Sequence, residues 1–173
     1  MRTTFEQDAL YTEAVAAHGP ALQRLAAAVE ANAERRRDLL QDMHVALWRS
    51  FAAYDVRCSV RTWMHRVAHN VAASHVDRER RTHRGAVTLD EIEHLPDAGN
   101  LSAEFEANEA MALLHKLIRR LKHADRQVIT LYLEGLDAAS IAEVTGLSAG
   151  AVATRISRLK THLARLYHET ANV

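Results

Sequence analysis

The chain is predicted to be all-α, with two small helical domains joined by an extended acidic linker. Three observations carry this reading. Apolar residues recur at three- and four-residue spacing through most of the 173 residues. Glycine (6) and proline (2) are scarce while Ala and Leu are abundant, a composition that favours helix. No apolar/polar alternation long enough for a strand is present, and the period is lost between Gly85 and Leu101, where Pro96, Gly99 and Asn100 fall. The predicted units are residues 1–84, a linker at 85–101, and residues 102–173.

Each element has a local reason. Phe5 to Ala17 carries Leu10 and Val15 at helical spacing and is expected to end at Gly19-Pro20. Pro20 suits the first turn of a second helix through Leu22, Leu25 and Val29. A third runs from Arg36 to Phe51, with Leu40, Met43, Leu47 and Phe51 on one face. Tyr54 to Ser59 breaks the pattern, and Ser59 can cap a fourth helix whose inner stripe is Val60, Trp63, Met64, Val67 and Val71. Beyond the linker, Ser102 and Phe105 open a helix running to about Leu121. Asp125 is expected to cap a shorter one that stops at Gly135. Ala138 to Thr145 is a short helix, Gly146 a turn, and Ser148 the cap of a last helix with Val152, Ile156, Leu159, Leu163 and Leu166 inside.

Composition excludes several classes. No apolar run approaches the ~20 residues that cross a bilayer, so no membrane insertion is expected. Met1 to Leu10 holds Glu6 and Asp8 and lacks the apolar core of a signal peptide. Cys58 is the single cysteine, so no internal disulfide can form, and a cytoplasmic setting fits. No Walker loop, dinucleotide fingerprint or nucleophile elbow is present. The chain therefore reads as a non-enzyme needing no cofactor or metal. His65 and His69 lie four apart and could share a metal, but they read as exposed polar residues on a nucleic-acid-facing side. Cys58 reads as a small, semi-buried residue rather than a redox centre.

Lys plus Arg (22) equals Asp plus Glu (22), yet the charges are segregated. Arg57 to Arg84 carries +5, Gly85 to Leu113 carries −7, His115 to Arg126 carries +4, and Arg155 to Arg165 carries +4 with no acid. Two basic helical regions flanking an acidic stretch suggest two polyanion contacts. Solvated helix faces would give the same composition, so a motif has to decide.

That motif is Ala139-Ser-Ile-Ala-Glu-Val-Thr-Gly-Leu-Ser-Ala-Gly-Ala-Val-Ala-Thr-Arg-Ile. Ile141 and Val144 point inwards, Gly146 can take positive φ, Leu147 plugs the helix junction, and Val152 and Ile156 dock the second helix. Turn glycine, N-cap and buried pattern coincide as a helix-turn-helix requires. Small residues at the front of the second helix allow close approach to a DNA groove, and its positive residues can meet phosphates.

In the first half, Asp38-Leu-Leu-Gln-Asp is followed by Trp48 and Phe51, and then by Ser59-Val-Arg-Thr-Trp-Met-His-Arg-Val-Ala-His-Asn. Together with the C-terminal motif, in this order and spacing, the chain resembles the extracytoplasmic-function (ECF, group IV) sigma factors of bacterial RNA polymerase. The resemblance covers nearly the whole chain. It implies a region 2-like domain, a linker and a region 4-like domain. It also implies core RNA polymerase and promoter DNA, both duplex and melted non-template strand, as partners, with an anti-sigma factor as a further one.

The resemblance also assigns residues. Asp38, Leu39, Gln41, Asp42 and Val45 would dock on the polymerase clamp. Tyr54, Asp55, Arg57 and Ser59 would form a pocket for an extruded base of the minus-ten element. Arg61, Thr62, Arg66, Asn70, Ser74, Asp77, Arg78 and Arg81 would line the strand or its phosphates. Trp63 is open to two readings, a base-stacking platform or a core tryptophan. Ser148, Ala151, Thr154, Arg155, Arg158 and Lys160 would contact the minus-thirty-five element. The family often has larger polar residues where this chain has Ala151 and Ala153, which shifts the expected readout towards phosphates and DNA shape. A stand-alone helix-turn-helix regulator, or a sigma-like mimic that sequesters an anti-sigma protein, are the alternatives.

Overall fold

The structure, a computed structural model, describes residues 3–83 and 102–171; the expected linker at 85–101 lies outside them. The described residues form seven α-helices and one 3₁₀ turn, with no strand. In order they are α1 (Thr4–Val29), α2 (Ala33–Ser50), the 3₁₀ turn Phe51–Ala53, α3 (Val60–His83), α4 (Ser102–Arg119), α5 (His123–Leu133), α6 (Ala138–Thr145) and α7 (Ala149–Ala171).

Most helix starts are capped by side chains, which satisfies amides that the helix itself cannot. Thr3 and Glu6 form a capping box on α1. Asn32 accepts from the Glu34 and Arg35 amides, both at 3.0 Å. The Ser59 hydroxyl accepts from the Thr62 amide at 3.0 Å and opens α3. Asp137 accepts from Ser140 at 2.7 Å, and Ser148 from Ala151 at 3.2 Å.

Two expected boundaries differ. α1 is one helix that continues through Gly19-Pro20. Proline there forfeits one backbone bond, but Ala14, Ala21, Leu22 and Leu25 are buried on both sides of it, and that packing holds the helix together. α5 starts at His123 with Lys122 in the cap position, so Asp125 sits in the first turn, where its charge still favours the helix N-terminus.

α1, α2 and α3 enclose a first core of Leu22, Leu25, Leu39, Met43, Leu47, Phe51 and Met64. α4 to α7 enclose a second, with Leu117, Ile118, Val128, Ile129, Leu131, Ile141, Val152, Leu159 and Leu163. Ala28 of α1 belongs to the second core, because the two bundles pack face to face. Arg24 of α1 makes a bidentate pair with Glu134, at 2.6 and 2.7 Å. Arg119 donates to the Ala27 carbonyl at 2.8 Å, Arg66 to the Glu143 carbonyl at 3.2 Å, and Arg61 to the Glu134 carbonyl.

Two buried polar groups are fully enlisted in the fold. Glu30 accepts from His75 Nε2 (2.9 Å), the Asn32 amide (2.8 Å) and Arg35 Nε (3.2 Å). Burial pushes its carboxyl up, but those three bonds outweigh it and hold the group below the ordinary value. Buried Arg126 donates through Nη2 to the carbonyls of Arg119 and Leu121, tying off the end of α4.

Candidate nucleic-acid interface

α6 and α7 form the helix-turn-helix that the sequence predicts. Ile141 and Val144 are buried beneath α6. Gly146 has φ +75° and its amide donates to the Ala142 carbonyl at 2.8 Å, which turns the chain sharply into α7. Leu147 packs against the second core, and Val152, Leu159 and Leu163 seat α7 upon it. Outward along α7 lie Ser148, Ala151, Thr154, Arg158 and Lys160, all exposed. Arg155 is half-buried and pairs with Asp125 at 3.3 Å. The Lys160 ammonium sits 5.6 Å from the Tyr132 ring centroid. The front of this helix is thus shallow, and its cations stand behind, suited to backbone phosphates.

The second face is on α3. Asn70, Ser74, Asp77, Arg78 and Arg81 are exposed and fall at helical spacing into one stripe. Arg78 lies 3.6 Å from Asp42 of α2. The loop before α3 is rigidly built. Tyr54 is buried and its hydroxyl donates to the Cys58 carbonyl at 2.6 Å. Asp55, Arg57 and Ser59 are exposed around it. Trp63 is half-buried, tilted on Tyr54 at 5.4 Å, with its indole N–H donating to Ser50 Oγ at 2.9 Å. It forms a wall of the first bundle.

Four expectations about exposure are corrected. Leu39 is fully buried with Met43 and Leu47, so it supports the docking face from beneath; Asp38, Gln41, Asp42 and Val45 are exposed. Thr62 is 5% exposed, its hydroxyl 2.9 Å from that of Ser59, and serves the α3 cap. His65 and His69 are 3% and 4% exposed, inside the seam between bundles. Desolvation lowers the His65 imidazole to about 4, opposed in part by Glu134 and reinforced by Arg61, His18 and Arg24. Desolvation lowers His69 to about 3, with His65 and His123 adding to it. Among the described residues, no group of three or more His, Cys, Asp or Glu is placed to hold a metal.

Two residues at these faces were missed. Val56 is non-glycine at φ +65° and 65% exposed, at the tip of the loop before α3. Such a backbone is strained for a β-branched side chain by about 1–3 kcal/mol. Nothing in the sequence marks it. Trp48 is exposed on α2 and continues the 41, 45 stripe by three residues, a spacing that could have found it; its indole donates to Asp8 at 2.7 Å.

A helix-turn-helix reader packed beside a bundle with a basic stripe defines a two-module, all-helical DNA-binding protein. The comparisons with known proteins narrow the class. Residues 14–82 match the family described as Sigma-70 region 2, and residues 111–163 match Sigma-70, region 4. The ECF RNA polymerase sigma factor SigM of Mycobacterium tuberculosis is 28% identical over 149 residues, covering 86% of this chain and 72% of its own. RNA polymerase sigma factor NccH of Alcaligenes xylosoxydans xylosoxydans is 26% identical over 160 residues, 90% and 86% respectively. In fold, the sigma factor RpoE of Bartonella quintana, solved with its anti-sigma factor NepR, superposes with a TM-score of 0.71 at 19% identity. That likeness covers 90% of this chain and 95% of RpoE.

The chain belongs to the ECF family of RNA polymerase sigma factors. It binds core RNA polymerase and promoter DNA and directs transcription initiation. No helix among the described residues is long and apolar enough to cross a membrane.

Proposed function

We propose that three faces divide the work of initiation. Asp38, Gln41, Asp42 and Val45, with Trp48 at the far end, form the polymerase-docking face of α2, acidic and polar around an apolar centre. The 54–59 loop and the α3 stripe take the melted non-template strand of the minus-ten element. The strained, exposed Val56 gives that loop an apolar tip beside Asp55, Arg57 and Ser59, suited to an unstacked base. α7 enters the major groove of the minus-thirty-five element, with Thr154 near base edges and Arg155, Arg158 and Lys160 towards phosphates. With Ala151 and Ala153 at its front, much of the readout is of backbone and shape.

RNA synthesis itself is the polymerase's chemistry; this chain supplies positioning and strand capture. A cytoplasmic setting follows from that role. RpoE was solved in the grip of an anti-sigma factor, and a partner of that kind is proposed for this chain too.

The observation that carries the reading is the coincidence of a basic α3 stripe and a capped helix-turn-helix in one chain. The direct test is Asp42→Arg combined with Gln41→Ala. Association with core polymerase, followed by fluorescence titration, should weaken at least tenfold while the far-ultraviolet dichroism is unchanged. Unaltered affinity would remove the docking assignment.

A further inference from the structure

The face of α3 that points away from its own bundle is covered by the C-terminal half. Two of its cations are spent there: Arg61 on the Glu134 carbonyl and Arg66 on the Glu143 carbonyl. Glu134 also holds Arg24 of α1 in a two-pronged pair, so one residue at the end of α5 clasps two helices of the first bundle. Arg119 donates across the same seam to Ala27. Beneath these contacts His65 and His69 line a cavity of about 140 Å³ shared by both halves.

We propose that this seam is an autoinhibitory clasp, in which the C-terminal half occupies the guanidinium groups that the melted strand requires. The proposal rests on the assignment of Arg61 and Arg66 to that strand. Closure and strand binding are then mutually exclusive. Promoter contact also demands opening on grounds of length. Elements centred near positions −35 and −10 lie ~85 Å apart at ~3.4 Å per base pair. The longest helix here, of 26 residues, spans only ~39 Å, and the closed seam sets α3 directly against α5 and α6. Opening releases Arg61 and Arg66 in the same motion that lets α7 reach its own site. Free protein is thereby kept off single-stranded nucleic acid until a binding partner separates the halves.

The test uses the full chain with two variants that break the clasp from opposite sides, Arg24→Ala and Glu134→Ala. Neither residue is assigned to DNA or polymerase. Closure is read by energy transfer between dyes at Glu34→Cys and His168→Cys in a Cys58→Ser background. Strand binding is read with a fluorescein-labelled single-stranded oligonucleotide of mixed sequence. Both variants should lower transfer and should raise affinity about twofold to fivefold, the range for breaking a largely exposed ion pair. Their net charges change in opposite senses, so simple electrostatics would move the two affinities apart. The swap Arg24→Glu with Glu134→Arg should restore both readouts. Unchanged transfer, or affinities that follow net charge, would overturn the clasp. A separate arm adds Arg61→Ala and Arg66→Ala to Glu134→Ala. Loss of the gained affinity supports the strand assignment, and no loss overturns that assignment whatever the transfer signal says about closure.

Discussion

Two buried imidazoles make the fold acid-sensitive by an amount that can be worked out. His65 and His69 have folded values of about 4 and about 3, against an ordinary 6.5. A lowered folded value means that the unfolded chain takes up protons more readily, so stability falls as pH drops below 6.5 and levels off only below the folded values. At pH 5.5 an exposed imidazole is mostly protonated while both buried ones remain neutral. The loss is about 1.4 kcal/mol for each, near 2.8 kcal/mol together, or roughly 100-fold in the folding constant. Because both folded values lie well below 5.5, the loss at that pH is governed by the ordinary value.

The groups facing these rings are His18 and Arg24 on α1, Arg61 on α3, His115 on α4, and His123, Arg126 and Glu134 on or beside α5. His44 and His115 are also lowered by desolvation, but they are present in both proteins being compared. Glu30 and Glu134 have lowered values and stay ionised throughout the window. Urea unfolding at pH 7.5 and 5.5 should show the wild type losing 2–3 kcal/mol more than His65→Gln with His69→Gln. An equal loss in both proteins would refute the reasoning.

Three further outcomes follow from particular contacts. Glu30→Ala leaves buried His75 without its acceptor and should cost about 3 kcal/mol in urea unfolding, with Glu30→Gln less damaging. Gly146→Ala meets no atom within 4 Å, so its cost is purely that of φ +75°, about 1 kcal/mol, seen as a lower unfolding midpoint with the fold retained. Arg158→Ala removes an exposed cation from α7 and should reduce the slope of log affinity against log salt on promoter duplex by about one. Arg155→Ala should do less, since Asp125 already engages that guanidinium.

Much of this molecule was legible from its sequence because helices announce themselves locally. Asn32 and Ser59 cap where a cap was needed, or one residue from it, and α6 spans Ala138–Thr145 as its apolar spacing and Gly146 require. The helix-turn-helix was readable for the same reason: every contact that shapes it lies within twenty residues. Pro20 was misread because a local rule met tertiary packing that overrode it. The deeper misses are polar. Periodicity places polar residues outside, yet His65, His69 and Glu30 are inside because a second bundle or a distant partner covers them. Glu30 meets His75 across 45 positions and Arg24 meets Glu134 across 110, separations that no local window can span. Leu39 and Thr62 were assigned to binding faces through a motif that does not separate surface positions from those beneath it.

The most direct test is run-off transcription from a genomic fragment library with purified core RNA polymerase, with and without this chain. Discrete start sites should appear only when the chain is added, and they should fade when Asp42→Arg with Gln41→Ala is used instead. Transcripts no different from those of core polymerase alone would contradict the assignment of this chain to promoter-directed initiation.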